Sequence, residues 1–298
     1  MTTLQTPALK IVGLEKTYAD FQLHNIDLEL LTGQIMGLVG ANGAGKSTIM
    51  RILIGLIKAD AGTVEVCGHR APEAQVAIKR DVGYVSDDMR LYKTQSLRWH
   101  MDFIKSIYPC WDEAYAVELL KRFDLRAHQV LRGFSHGQRV KALLLLILAR
   151  RPKLLLLDEP TTGLDPVARI EVLEALADVL RDDARSVLFS SHNTMDVEQL
   201  SDSISFLHQG RLVASQDKES FLSSWRRVVC HGIWDAQINT LPEVASARTS
   251  GSITEIKVRN CSDIFLSRLQ QAGLTIKTVE PMNLEDIFVT CVRAGAPK

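Results

Sequence analysis

Residues Gly40–Thr48 read GANGAGKST; the loop follows the apolar run Ile35–Val39 and precedes IMRILIGLI, residues 49–57, whose apolar positions have helical spacing. A glycine loop between a strand and a helix has a specific physical use. Its successive backbone amides can encircle phosphate oxygens, and the helix N-terminus adds the positive end of its dipole. The pattern G-x-x-x-x-G-K-[ST] is met in full. On this reading Gly40, Ala41, Asn42, Gly43, Ala44, Gly45 and Thr48 form the cradle, Lys46 reaches the terminal phosphates, and Ser47 offers its hydroxyl to Mg²⁺. A dinucleotide-binding turn is disfavoured, because it needs GxGxxG and this loop ends in lysine and serine.

Working outward, residues 9–14 and 22–31 read as strands about a turn at Ala19 and Asp20, and TVEVC after Gly62 alternates like another strand. Ser96 to Phe123 is helical with a break at YPCWDE, where Pro109 removes a donor and Asp112 can cap the next helix. The compact runs LLLL, 154–157, and SVLFS, 186–190, flank the amphipathic VARIEVLEALADVL. That order is βαβ with a buried parallel sheet. ISFLHQGRLVAS, 204–215, reads as a hairpin turning on Gln209 and Gly210, and a helix near 217–225 closes a main domain. The remainder offers strand ITEIKV, helix DIFLSRLQQAG with Ile264, Phe265 and Leu269 on one face, strand TIKTVEP and helix LEDIF.

Two further segments carry chemistry. LLLLDE, 154–159, ends an apolar strand in Asp158 and Glu159, where a carboxylate is expensive to bury unless it has a task. By itself this could be a loop-edge acidic pair; beside a phosphate loop, one nucleotide site explains both. Asp158 then holds Mg²⁺ through its water shell, and Glu159 orients and polarises the water that attacks the γ-phosphate. In FSHGQ, Ser135 and Gln138 have the spacing of a capping box, so a helix starts at His136 with free amides pointing outward. Its apolar run ALLLLILA, Ala142–Ala149, is far short of the roughly 20 residues that span a bilayer.

The 298 residues exceed a usual single domain, and the 46% apolar and 23% charged fractions are those of an ordinary globular chain. Thirty-five basic and 35 acidic residues cancel, so no nucleic-acid partner is expected. The five cysteines are scattered and never spaced CxxC, which fits a reducing compartment and neither a disulfide framework nor a zinc site. The N-terminus lacks the basic-then-apolar pattern of a signal peptide.

Taken in order, GANGAGKST, FSHGQ and LLLLDEP resemble the nucleotide-binding subunit of ATP-binding cassette (ABC) transporters, FSHGQ standing for that family's LSGGQ signature. The resemblance implies an α/β P-loop NTPase of the ABC ATPase fold, with an antiparallel β-subdomain and a helical subdomain, over residues 1–225. It leaves a small C-terminal α+β extension over 226–298. Gly163, Leu164 and Asp165 of TGLDP resemble the D-loop, and His192 of SSH resembles the switch histidine that contacts the γ-phosphate, making it catalytic together with Glu159 and Lys46. Tyr18 is similar to the aromatic that stacks on adenine. The implied cofactors are ATP and Mg²⁺, and the implied partner is a second ATPase subunit, paired head to tail. Ser135, Gly137 and Gln138 would then meet the nucleotide bound by the other subunit.

Two positions depart from the family pattern. GYVSDD places Asp87 where the family has a glutamine; it could join the metal site or turn toward a transmembrane partner. His136 replaces the first signature glycine. Helical φ tolerates a side chain there, so its ring is expected at the first helical position near the dimer interface, the alternative being a solvent-facing imidazole.

The tail, which contains EPMNLEDIFV, is similar to the extensions of export-type subunits of the bacitracin and multidrug branch. Those work on the cytoplasmic face of the cell membrane through a separate permease. The alternatives are an ABC ATPase acting on ribosomes or nucleic acid, and a nucleotide-gated regulatory module on a membrane partner.

Overall fold

Every residue of Ile35–Val39, Leu154–Asp158 and Ser186–Ser191 is buried, as expected of strands covered on both faces. The structure, a computed structural model, describes residues 7–86, 88–179, 185–232 and 241–294. The chain divides into two units: Met1–Ser201 with Leu207–Arg211, and Asp202–Phe206 with Leu212–Lys298.

In the first unit β1 (Pro7–Thr17) and β2 (Gln22–Leu31) lead into β3 (Ile35–Val39), the phosphate loop and α1 (Lys46–Leu53). Then come β4 (Ala61–Val66), β5 (His69–Ala71), α2 (Gln75–Asp81), β6 (Val82–Ser86), α3 (Leu97–Ile107) and α4 (Glu113–Arg122). The unit continues with α5 (His136–Leu148), β7 (Leu154–Asp158), α6 (Pro166–Val179), β8 (Ser186–Ser191) and α7 (Thr194–Leu200).

Strands β2, β1, β4 and β5 make an antiparallel sheet in that order, β1 lying between β2 and β4. The parallel sheet runs β3, β8, β7, β6, with Val39 beside Ser191, Ser190 beside Asp158, and Asp158 beside Ser86. Four strands therefore end at one level. In open parallel sheets that carboxyl edge is where ligands bind.

Helices α3 and α4 sit where the sequence puts them, because their start signals are real: the Ser96 hydroxyl accepts from Trp99 N at 3.2 Å and the Asp112 carboxylate from Tyr115 N at 2.9 Å. In α5 the run Ala142–Leu148 is buried on all sides. It is thus an internal helix of this unit, and no helix among the described residues is long and apolar enough to cross a membrane.

The second unit holds parts of the hairpin β9 (Ser203–His208) and β10 (Arg211–Asp217), then α8 (Lys218–Ser224), β11 (Trp225–His231), β12 (Val244–Ser250), β13 (Ile253–Arg259), α9 (Asp263–Gln271), β14 (Thr275–Pro281) and α10 (Leu284–Ala294). Gln209 and Gly210 both have positive φ, 46° and 73°, as a tight two-residue hairpin turn requires. A four-stranded antiparallel sheet of order β12, β13, β11, β14 packs Val228, Cys230, Ile256 and Val258 against Phe265 and Leu269 of α9. Ile264 does not share that face: it is 68% exposed. Consecutive helical residues point about 100° apart, so Ile264 and Phe265 cannot both look inward along a narrow stripe. Helix α10 adds Asp286, which pairs with Arg227 at 2.6 Å and Lys257 at 3.6 Å.

Candidate functional site

The phosphate loop owes its shape to two glycines. A Cβ on Gly40 would stand 2.5 Å from the Leu207 carbonyl oxygen, and Gly45 caps α1 at φ 111°, where a Cβ would also strike Leu23 and Phe21 at 2.6 and 2.7 Å. No side chain caps α1, so the amides of its first turn are left for an anion. A cavity of about 490 Å³ opens there, lined by Asn42–Thr48, Asp20, Phe21 and Glu159. Tyr18 is exposed beside it, with its ring 6.5 Å from Phe21. Phe21, which sequence reasoning passed over, is the aromatic in the cavity wall.

Lys46 is buried with its ammonium turned back into the site, donating to the carbonyls of Gly40 at 2.6 Å and Ala41 at 3.2 Å. Its third neighbour is Glu159 Oε1 at 3.1 Å, an ion pair across the cavity.

Glu159 follows β7 with φ 54°, a left-handed conformation that is unfavourable for a residue with a side chain. Several contacts hold it there. Ser190 on β8 accepts from Glu159 N at 3.0 Å while its hydroxyl donates to Asp158 Oδ1 at 2.7 Å, so one serine registers both carboxylate residues. Oε2 accepts from the Thr162 hydroxyl at 2.9 Å and lies 2.8 Å from His192 Nδ1. Burial opposes the charged form, but Lys46, with help from His192 and Thr162, outweighs it and holds the Glu159 carboxyl below the usual carboxylate range.

Ser47, Asp158, Glu159 and His192 line one further cavity of about 280 Å³, together with Asn42 and Thr162. It lies at the carboxyl ends of β3, β7 and β8. Asp87 lies outside the described residues; its neighbour Asp88 lines this cavity and pairs with Arg51.

The capping box at the start of α5 is complete. The Ser135 hydroxyl accepts from Gln138 N at 3.1 Å, and Gln138 Oε1 accepts from Ser135 N at 3.0 Å. His136 is the first helical residue, and its Nε2 lies 3.1 Å from the Thr162 carbonyl oxygen. The ring therefore faces the loop after Glu159 in its own chain. Gly137 is half-buried near Leu164 and Ala168. Asp165 caps the start of α6: amides of Ala168 and Val167, each at 3.0 Å, hold its carboxyl below the usual range.

A glycine phosphate loop at the end of a parallel strand, facing the carboxylates of Asp158 and Glu159 and a histidine, defines a P-loop ATPase. The ABC transporter family profile matches residues 23–162. The chain is 28% identical over 270 residues to the ABC transporter ATP-binding protein YtrB of Bacillus subtilis, covering 90% of this chain and 91% of that one. It is 31% identical over 212 residues to the lantibiotic transport ATP-binding protein SrtF of Streptococcus pyogenes, covering 70% and 90%. Identity is 28% over 295 residues to the Nod factor export ATP-binding protein I of Cupriavidus metallidurans, covering 95% and 97%. Among solved structures, an ATP-binding subunit of an ABC transporter superposes with a TM-score of 0.66 at 27% identity, covering 72% of this chain and 92% of that one.

The chain belongs to the ATP-binding subunits of ABC transporters, and it binds and hydrolyses ATP.

Proposed function

We propose that this chain powers export of a substrate through a separate membrane permease, working as one of two ATPase subunits paired head to tail on the cytoplasmic face. The observation that carries the site assignment is the convergence of Ser47, Asp158, Glu159 and His192 on a single cavity beside the phosphate loop. Export as the direction draws on the relatives, among them the Nod factor export protein.

In this reading the amides of residues 40–48 hold the phosphates of ATP, and Tyr18 or its neighbour Phe21 supports the base. Lys46 exchanges part of its contact with Glu159 for the terminal phosphates. That exchange frees Glu159 Oε1, a buried oxygen that accepts no aligned hydrogen bond, to take a water. His192 keeps the other carboxylate oxygen oriented. The Ser47 hydroxyl and the Asp158 carboxylate are hard oxygen donors on one cavity wall, the donor class that Mg²⁺ takes. Bound there, Mg²⁺ supplies charge neutralisation for the phosphates. Ser135, Gly137 and Gln138 face the nucleotide of the second subunit. Residues 1–225 form the ATPase and 226–298 an accessory extension.

The test is reconstitution in vesicles with a candidate permease. ATP turnover stimulated by that permease, with substrate moved across vesicles, supports the reading. Turnover stimulated by ribosomes or DNA, and indifferent to the permease, contradicts it.

A further inference from the structure

Asp196 is 1% exposed, on α7, four residues after His192, and both of its oxygens are taken. Oδ1 accepts from Arg169 through Nε at 2.6 Å and Nη2 at 2.5 Å; Oδ2 accepts from the Thr161 hydroxyl at 2.6 Å. Arg169 belongs to the first turns of α6, and Thr161 is the second residue after Glu159. A single buried carboxylate thus joins three segments: the loop that leaves Glu159, the helix that follows this loop, and the helix that follows His192.

The consequence reaches the reacting groups through the next residue. Thr162 donates to Glu159 Oε2, the oxygen that His192 also contacts, and its carbonyl faces His136. The turn bearing His192 is itself fixed at two points: Asn193 N donates to Ser191 Oγ at 2.9 Å, and Asn193 Oδ1 caps α7 by accepting from Met195 N at 3.0 Å. Both groups on Glu159 Oε2 therefore hang from supports that meet at Asp196. Glu159 itself has a left-handed backbone, which persists only where its surroundings over-determine it. A buried, fully hydrogen-bonded charge is suited to that task, because it is strong in low dielectric and tolerates one geometry.

We propose that Asp196, held by Arg169 and Thr161, is a positioning residue for ATP hydrolysis that sets the separation of Glu159 and His192. It touches neither nucleotide nor attacking water. The proposal rests on the roles given above to Glu159 and His192.

Thr161→Val removes the hydroxyl with little change of volume and leaves the Arg169 ion pair in place, while Thr161→Ser restores the hydroxyl. Misplacing a catalytic group by a fraction of an ångström to an ångström lowers rate rather than binding, so kcat of Thr161→Val is expected to fall about 10-fold or more. Its KM, and the Kd for a non-hydrolysable ATP analogue, should stay within about twofold, since uniform nucleotide binding is untouched. Thr161→Ser should return most of the rate. Asp196→Asn should follow Thr161→Val where it folds; the threonine pair decides the matter where it does not.

A folded Thr161→Val with wild-type kcat overturns the proposal, as does a serine variant no faster than the valine one, or a loss in which kcat stays and KM rises. Glu159→Gln, run beside them, separates the two levels. If it turns over ATP at the wild-type rate, the assignment of Glu159 fails; if it is inactive while Thr161→Val is unimpaired, only the positioning role fails.

Discussion

Lys46 Nζ stands 3.1 Å from Glu159 Oε1, so the lysine of the phosphate loop and the carboxylate after β7 partner each other. Lys46 is buried and Glu159 half-buried, and each would be costly to leave alone. Lys46→Ala is therefore expected to do two things. Loss of a charged hydrogen-bond donor to phosphate should weaken ATP binding by about 10- to 100-fold, measured by equilibrium titration. It should also raise the Glu159 carboxyl toward its ordinary range, because the first of the opposing charges is gone. Unchanged ATP affinity would refute the phosphate role of Lys46.

His136 is held by one contact, its Nε2 to the Thr162 carbonyl, at an exposed position. A single hydrogen bond is worth about 0.5–1.5 kcal/mol, so His136→Ala should lower turnover by about two- to tenfold while the fold and ATP affinity stay as they are. Steady-state ATPase assays across mildly acid to mildly alkaline pH check this. A rate equal to wild type throughout that range would mean that the ring merely faces solvent.

Much of this arrangement can be read from the sequence, and the parts that can are those encoded by neighbours. The phosphate loop, the caps at Ser96, Asp112 and Ser135, and the turn at Gln209 and Gly210 each depend on residues within a few positions of one another. Strands β3, β7 and β8 are continuous apolar runs. By contrast β12, VASARTS, is an edge strand with mostly exposed residues, and polar edges carry little period-2 signal. In the site, Ser190, Thr161, Arg169 and Asp196 are joined only by folding: Thr161 and Asp196 are 35 residues apart, Ser190 and Asp158 32 apart. Local pattern contains nothing of such pairs, and hydroxyls beside a glutamate look like ordinary loop polarity.

Glu113, at the start of α4, gathers Lys105, the Trp111 indole and Arg98. Hydrogen bonds from Lys105 and Trp111, then Arg98, outweigh burial and lower its carboxyl from 4.5 to about 2. A carboxylate with a depressed folded value stabilises the fold above its unfolded value and loses that contribution as pH falls through the folded one. Glu113→Gln should thus be less stable than wild type near neutral pH, and the gap should close between about 4.5 and 2. Because these side chains are partly exposed, salt should shrink the gap as well. Urea unfolding at several pH values reads it; a pH-independent gap would contradict the network's part.

Leu144 is fully buried in α5, the helix whose N-terminus presents Ser135 and Gly137. Leu144→Ala should cost about 2–5 kcal/mol of stability, by lost burial plus the cavity left behind. Chemical denaturation measures it. A change well below this range would mean that α5 is not the anchored element that aims its first turn.

Glu159→Gln replaces the carboxylate by an amide that cannot accept a proton from water, and keeps its shape. As the general base contributes about 10²- to 10⁴-fold, single-turnover ATP hydrolysis should slow by that factor while ATP still binds and the paired subunits accumulate. Hydrolysis at the wild-type rate in this variant, with ATP bound as before, would remove Glu159 from the chemistry and with it the mechanism built on this site.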